Sequence, residues 1–147
     1  MYQHLLVATD GSKLSAKAVT HAITLAKALG AKLTAFYASP AYVTPVYAEG
    51  YPYVMTSRKE YGALCVKEAD KILKPVSLEA QRAGLDFNSV HEIADAPWEA
   101  ILAAARRNKC DAIVMASHGR RGLSALLLGS ETQKVLTHTK LPVIVVR

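Results

Sequence analysis

The chain of 147 residues has two cysteines, Cys65 and Cys110, and they form no C-x-x-C pair. That spacing supports neither a thiolate metal centre nor a redox pair, so two reduced, partly buried thiols are expected. Long apolar runs are also lacking. No stretch of about 18 hydrophobic residues occurs, which excludes a membrane-spanning helix. The opening residues, MYQHLLVATDGS, have neither the basic start nor the small-residue cleavage site of a secretory leader, and a cytoplasmic protein is expected. Lysine and arginine outnumber aspartate and glutamate, giving +6. The basic residues are nevertheless scattered singly, as at Lys17, Lys27, Lys67 and Lys74. With no basic stripe interleaved with stacking aromatics, a nucleic-acid partner is not expected. Both familiar phosphate-loop patterns are missing, G-x-x-x-x-G-K-[ST] and G-x-G-x-x-G. So is the G-x-S-x-G nucleophile elbow, which argues against a hydrolase built on Ser117, His118 and Asp10.

What is present is an alternation of two periods. LLVAT, Leu5 to Thr9, is a short apolar run of the kind buried on both faces of a sheet. From about Ser12 to Leu29 the period turns helical, with Leu14, Ala18, Ala22, Leu25 and Leu29 on one side and Gly30 as the stop. Lys32 to Ser39 is a second strand. Pro40 to Val54, rich in proline and tyrosine, is a long loop that serves as a lid, a partner surface or padding. A helix is expected from about Arg58 to Ala83, with Tyr61, Leu64, Ala69, Ile72, Val76 and Ala80 inward, Pro75 kinking or breaking it, and Gly84 ending it. Phe87 to Ile93 is a third strand. Asp95 and Pro97 mark a helix start, with Trp98, Ile101, Leu102 and Ala105 on one face and Trp98 in the core. Asp111 to Ala116 is a fourth strand, Ser130 to about Thr137 a helix, and Pro142 to Val146 a fifth strand. The alternation predicts one α/β domain over residues 1–147, an open, mostly parallel sheet with helices on both faces.

In such a sheet ligands bind beyond the carboxyl ends of the strands, where strand order reverses. Two segments leave strands there: Ala8-Thr9-Asp10-Gly11-Ser12 and Ala116-Ser117-His118-Gly119-Arg120. Gly119 permits a sharp turn and close approach of backbone amides to an anion. Gly129-Ser130-Glu131-Thr132 then opens a helix whose first amides lack intrahelical partners and whose dipole favours negative charge. Ser130 serves there as N-cap, phosphate contact or both. Arg120 adds charge. Asp10 either caps the first helix or its turn, or it accepts from a ribose hydroxyl or helps hold a metal that phosphates bring. His118 is expected to support the loop by hydrogen bonding.

The segments LLVATDGS, GAKLTAFYAS, MASHGRRG and LLGSETQKVL, in this order along the chain, resemble the universal stress protein family. Its nucleotide-binding branch carries G-x2-G-x9-G-[ST], which falls here on Ala116, Gly119, Gly129 and Ser130, with alanine in place of the first glycine. The resemblance implies a five-stranded sheet ordered 3-2-1-4-5, Rossmann-like, with ATP across the strand ends. By position it assigns Ala8, Thr9 and Asp10 to the first nucleotide segment, Ala38 to the adenine and Met115 and Ala116 to the ribose. The extra methyl of Ala116 predicts weaker binding, not its loss. The resemblance also implies a homodimer, and the hydrophobic terminal strand, Val143 to Val146, is the edge expected to pair with a second copy.

The expected function is therefore that of an ATP-binding, dimeric switch in stress response, with Mg2+ carried by the phosphates. No Walker lysine, arranged base or acidic metal pair is present, so hydrolysis is at most slow. Two other functions fit the same residues: a structural or partner-binding dimer without nucleotide, and a slow ATPase or transferase of phosphate or adenylate.

Overall fold

A computed structural model describes residues 1–43, 57–119 and 128–147. Nine elements alternate along them: β1 (His4–Ala8), α1 (Lys13–Leu29), β2 (Lys32–Ser39), α2 (Arg58–Arg82), β3 (Phe87–Ile93), α3 (Pro97–Arg107), β4 (Ala112–Ala116), α4 (Ser130–His138) and β5 (Val143–Val146). The strands form one sheet in the order β3-β2-β1-β4-β5, every neighbouring pair parallel. This is the expected Rossmann-like α/β architecture.

Each face of the sheet is closed by its own helices because side chains alternate along a strand. Leu5, Val7, Leu33, Ala35, Ala112 and Val114 pack with Val19, Ala22, Ile23 and Ala26 of α1 and Ala69, Leu73 and Val76 of α2. Leu6, Phe36, Ile113 and Met115 face the other way, against Ile101, Leu102 and Ala105 of α3 and Val135 of α4. Leu5, Leu6, Val7, Leu33, Ile113 and Val114 are fully buried. Each such side chain contributes about 1.5–3 kcal/mol of transfer free energy, so the central strands are the stable frame on which the loops sit.

Several sequence expectations are corrected by the packing. The buried stripe of α1 is Ala18, Val19, Ala22, Ile23 and Ala26, while Leu14, Leu25 and Leu29 lie half-buried along its margin. In α2, Leu64 is 57% exposed, and Cys65 and Leu73 take the buried positions instead. Pro75 does not break α2, which runs continuously from Arg58 to Arg82. One lost backbone bond is outweighed there by burial of Ala69, Leu73, Val76 and Ala80 on both sides of the proline. α3 starts where Asp95 and Pro97 marked it, with Ala96 as N-cap, Pro97 in the first turn and no side-chain cap bond. Trp98 is half-buried rather than fully in the core, packed against the α3 side. Gly30 adopts the left-handed conformation (φ 62°) that closes α1, as expected of a glycine there.

The path reverses between β1 and β4. The chain runs outward from β1 through β2 to β3, then crosses back to β4 and on to β5. The carboxyl ends of β1 and β4, paired through Leu5–Ala112, Leu6–Ile113 and Val7–Val114, therefore flank the switch point at which this architecture binds ligands.

Candidate functional site

At the end of β1 the chain makes a tight polar turn. The Gly11 amide donates to Thr9 Oγ1 (3.2 Å) and the Ser12 amide to Asp10 Oδ1 (2.9 Å). Ser12 is the N-cap of α1, its Oγ accepting from the Ser15 amide at 3.2 Å. Asp10 thus closes the turn and not the helix, whose cap is Ser12, and its second oxygen points across the sheet edge. A methyl built on Gly119 would lie 2.5 Å from Asp10 Oδ2, far inside contact distance. The loops after β1 and β4 meet at that point, and any side chain there would have to displace the Asp10 carboxylate.

Beyond β4, Ser117 is held by its amide to Val146 O at 2.8 Å and its Oγ lies 3.1 Å from His118 Nδ1. His118 therefore braces the loop through Ser117, as expected. Gly129 returns to the same place. Its amide donates to Ser117 O at 2.7 Å, and a methyl on it would sit 3.0 Å from His118 Cα. Both glycines of the spaced pattern thus sit in close contact within the protein itself, Gly119 against the Asp10 side chain and Gly129 against the His118 backbone.

The N-cap of α4 is Gly129, not Ser130, and no side chain caps this end. Ser130 is the first helical residue and exposed. Among the described residues no acceptor meets the amides of Ser130, Glu131 or Thr132, while the Gln133 amide returns to Gly129 O. The side chains of the same turn are used elsewhere. Thr132, 2% exposed, donates its hydroxyl to Ala116 O at 2.9 Å. Glu131 turns its carboxylate towards α3, where Oε2 accepts the Trp98 amide at 2.8 Å. Its other oxygen takes Lys134 Nζ at 3.3 Å.

The small residues expected around a base and sugar lie at adjoining strand ends. Ala8 pairs with Phe36 in β2, two positions before Ala38, and the Thr9 amide donates to Phe36 O at 2.9 Å. Ala8 and Ala38 are half-buried, while Met115 and Ala116 are buried, with 5% and 7% exposed. Ala116 is in extended strand backbone, so its methyl carries no conformational strain. Alternation along β4 places that methyl on the face of Ala112 and Val114, towards α1. Arg120, Gly122 and residues 44–54 of the tyrosine-rich loop lie outside the described residues.

The structure thus brings Thr9, Asp10, Ala116, Gly119, Gly129, Ser130 and Thr132 to one edge of the sheet. Glu131 is placed there by its backbone alone. Two surface hollows lie among the described residues, one away from this edge and one reaching it at Thr9 and Gly11. One, of about 540 Å3, is an open groove along the outside of α1 beside Val146, and the other, of about 260 Å3, runs between α1 and α2 from Thr9 and Gly11 to Glu79. The strand-end site is chemically the more specific, because it gathers backbone donors and a carboxylate whereas the hollows are lined largely by exposed helix side chains. Among the described residues no three metal-ligating side chains cluster, and no helix is long and apolar enough to cross a membrane.

Sequence reasoning missed Trp98. Its amide is bonded by Glu131, and its ring lies tilted over His138 with centroids 4.4 Å apart. No local signal announces either contact, since they join residues far apart in the chain. Cys65 and Cys110 are both unpaired and buried, and burial pushes the Cys110 thiol up to about 11, which makes it a poor nucleophile.

Comparison with known proteins agrees with this architecture. The family model described as Universal stress protein family matches residues 1–147. The Bacillus subtilis universal stress protein YxiE is 34% identical over 149 residues, covering 100% of both chains. A universal stress protein of Methanocaldococcus jannaschii is 33% identical over 150 residues, covering 100% of this chain and 83% of its own. Among solved structures, a Burkholderia pseudomallei member superposes with a TM-score of 0.76 at 23% identity, covering 98% of this chain and 95% of its own. A universal stress protein in complex with cAMP superposes at 0.71 with 28% identity, covering 99% and 97%. One from Archaeoglobus fulgidus in complex with dAMP superposes at 0.70 with 18% identity, covering 99% and 98%. On its sequence and its fold alike, the chain belongs to the universal stress protein family.

Proposed function

We propose that this protein binds ATP, or a closely related adenine nucleotide, across the carboxyl ends of β1 and β4, and acts as a dimeric nucleotide-dependent switch in stress response. The observation that carries the reading is the first turn of α4. Its amides at Ser130, Glu131 and Thr132 meet no acceptor among the described residues, and they stand beside the contact of Gly119 with Asp10. Amides at a helix N-terminus favour a phosphate through both hydrogen bonding and the helix dipole. The residues fit the group: the side chains at the strand ends are small at Ala8, Ala38 and Ala116, and Thr9 and Asp10 carry oxygens suited to a ribose. Asp10, fixed by the Ser12 amide, is the residue to share a magnesium ion brought by phosphates. Arg120 is proposed to add positive charge. The ligands of the cAMP- and dAMP-bound family members support an adenine nucleotide as the class.

The second copy is proposed to pair along β5, the edge strand whose four residues are half-buried. Isothermal titration with ATP and Mg2+ tests the ligand: micromolar affinity is expected, and a flat titration at millimolar ATP overturns it. Sedimentation with and without ATP tests the dimer.

A second reading, a partner-binding dimer without nucleotide, draws on two observations. Ala116 replaces the first glycine of the spaced pattern, and the Gly129 amide is already satisfied by Ser117 O. Ala116→Gly separates the two, since a tighter ATP complex marks a tuned nucleotide site. Any turnover is proposed to be slow.

A further inference from the structure

We infer that Glu131 is a positioning residue: its carboxylate, by capping α3 from across the loop, sets the direction in which the first-turn amides of α4 point. This rests on the proposal that those amides receive phosphate. The inference starts from a deficit in α3. That helix begins at Ala96 and Pro97 with no side-chain cap of its own, so its first amides need an acceptor from elsewhere. Glu131 Oε2 supplies one to the Trp98 amide at 2.8 Å, across 33 residues. An ionised carboxylate on a helix N-terminus gains from both the charged hydrogen bond and the dipole.

The same bond has a second effect, on α4. Glu131 and His138 lie seven residues apart on this nine-residue helix, two turns on one face. Both grip Trp98, Glu131 by the backbone amide and His138 by the indole ring. Thr132 ties the neighbouring face to Ala116 O. Two side-chain links at right angles around the helix, one to α3 and one to β4, fix the tilt of its axis, along which its N–H groups point. Gly129 leaves α4 without a cap of its own, so no local bond does that work. The arrangement also settles an electrostatic conflict. A carboxylate one residue inside a phosphate site would repel the ligand, and turning it onto α3 and Lys134 removes its charge from the amides.

The test compares Glu131→Ala with Glu131→Gln, which keeps an oxygen for the Trp98 amide. Two readouts are needed. Residual dipolar couplings of the amides from Gln133 to Thr137, measured without ligand, report the axis of α4 at positions away from the substitution. They are expected to change in E131A and to return to wild-type values in E131Q. ATP affinity is expected to fall about five- to tenfold in E131A and to stay within about twofold in E131Q, on the scale of one charged hydrogen bond. Unchanged couplings in E131A overturn the inference, as does a changed axis with unchanged affinity. If the wild-type protein fails to bind ATP, the nucleotide reading falls, and the ligand-free couplings still decide whether Glu131 orients the helix. Circular dichroism of each variant separates either result from general unfolding.

Discussion

Two helices leave the carboxyl edge of the sheet on either side of its switch point, and they are finished in opposite ways. α1 is closed by its own neighbours. Thr9, Asp10 and Ser12 take the amides of Gly11, Ser12 and Ser15, all within six residues. α4 is closed by distant groups: its first turn is tied to Ala116 O sixteen residues back and to the Trp98 amide thirty-three residues back. The α1 end caps one first-turn amide locally, that of Ser15, and leaves those of Lys13 and Leu14 without an acceptor among the described residues. The other leaves its first-turn amides without an acceptor among the described residues and borrows rigidity from the rest of the fold. An anion site draws on unsatisfied first-turn amides, and α4 offers three in succession where α1 offers two.

The contrast is broken most severely at Gly129. A methyl there lies 3.0 Å from the backbone of His118, which cannot swing aside. Gly129→Ala is expected to cost about 1–3 kcal/mol in urea denaturation and to abolish measurable ATP binding. Thr132→Val comes next. It keeps the shape and removes the buried hydroxyl from Ala116 O, at an expected cost of about 2 kcal/mol for an unpaired carbonyl, with weaker ATP binding alongside.

The same experiment at the other end sharpens the comparison by separating stability from binding. Ser12→Ala removes a local cap and is expected to cost about 1 kcal/mol, while ATP affinity stays within about twofold. An equal loss of affinity in this variant would erase the distinction between the two ends.

The smallest effect expected is on pH dependence. Burial lowers the His4 imidazole from its usual 6.5, aided by Lys32 and opposed by Asp111 and Asp86. Burial likewise lowers His91, opposed by Asp70 and Glu92. The folded chain then binds fewer protons than the unfolded chain between the depressed values and 6.5, so stability is complete above 6.5 and falls as the pH drops through that window. Both rings are partly solvated, which keeps the effect small. Thermal melts of His4→Gln and His91→Gln are expected to show a flatter slope below 6.5 than the wild type. A slope unchanged by both substitutions overturns that assignment.

The α1 end was legible in the sequence because its bonds are local: Asp-Gly-Ser after an apolar run already signals a turn and a cap. The glycine spacing around β4 was legible as a pattern, but its cause was not. Gly119 and Gly129 pack tightly against Asp10 and His118, residues of the protein itself, before any ligand is considered. Ser130 looked like a cap because its chemistry suits the role, yet Gly129 holds that position. Leu64 looked buried from its spacing and is exposed, because the contact stripe of α2 passes through Cys65 and Leu73 instead.

By itself the sequence determined the order of strands and helices, the two-faced burial of the central strands and the family of the fold. Each of these depends on periodicity and on bonds between near neighbours. The tertiary structure alone decided which amides at the sheet edge are satisfied, where the Glu131 carboxylate points and why Trp98 stands between α3 and α4. Those outcomes depend on contacts between residues distant in the chain, whose geometry exists only once the sheet has set β1, β4 and the helix starts side by side.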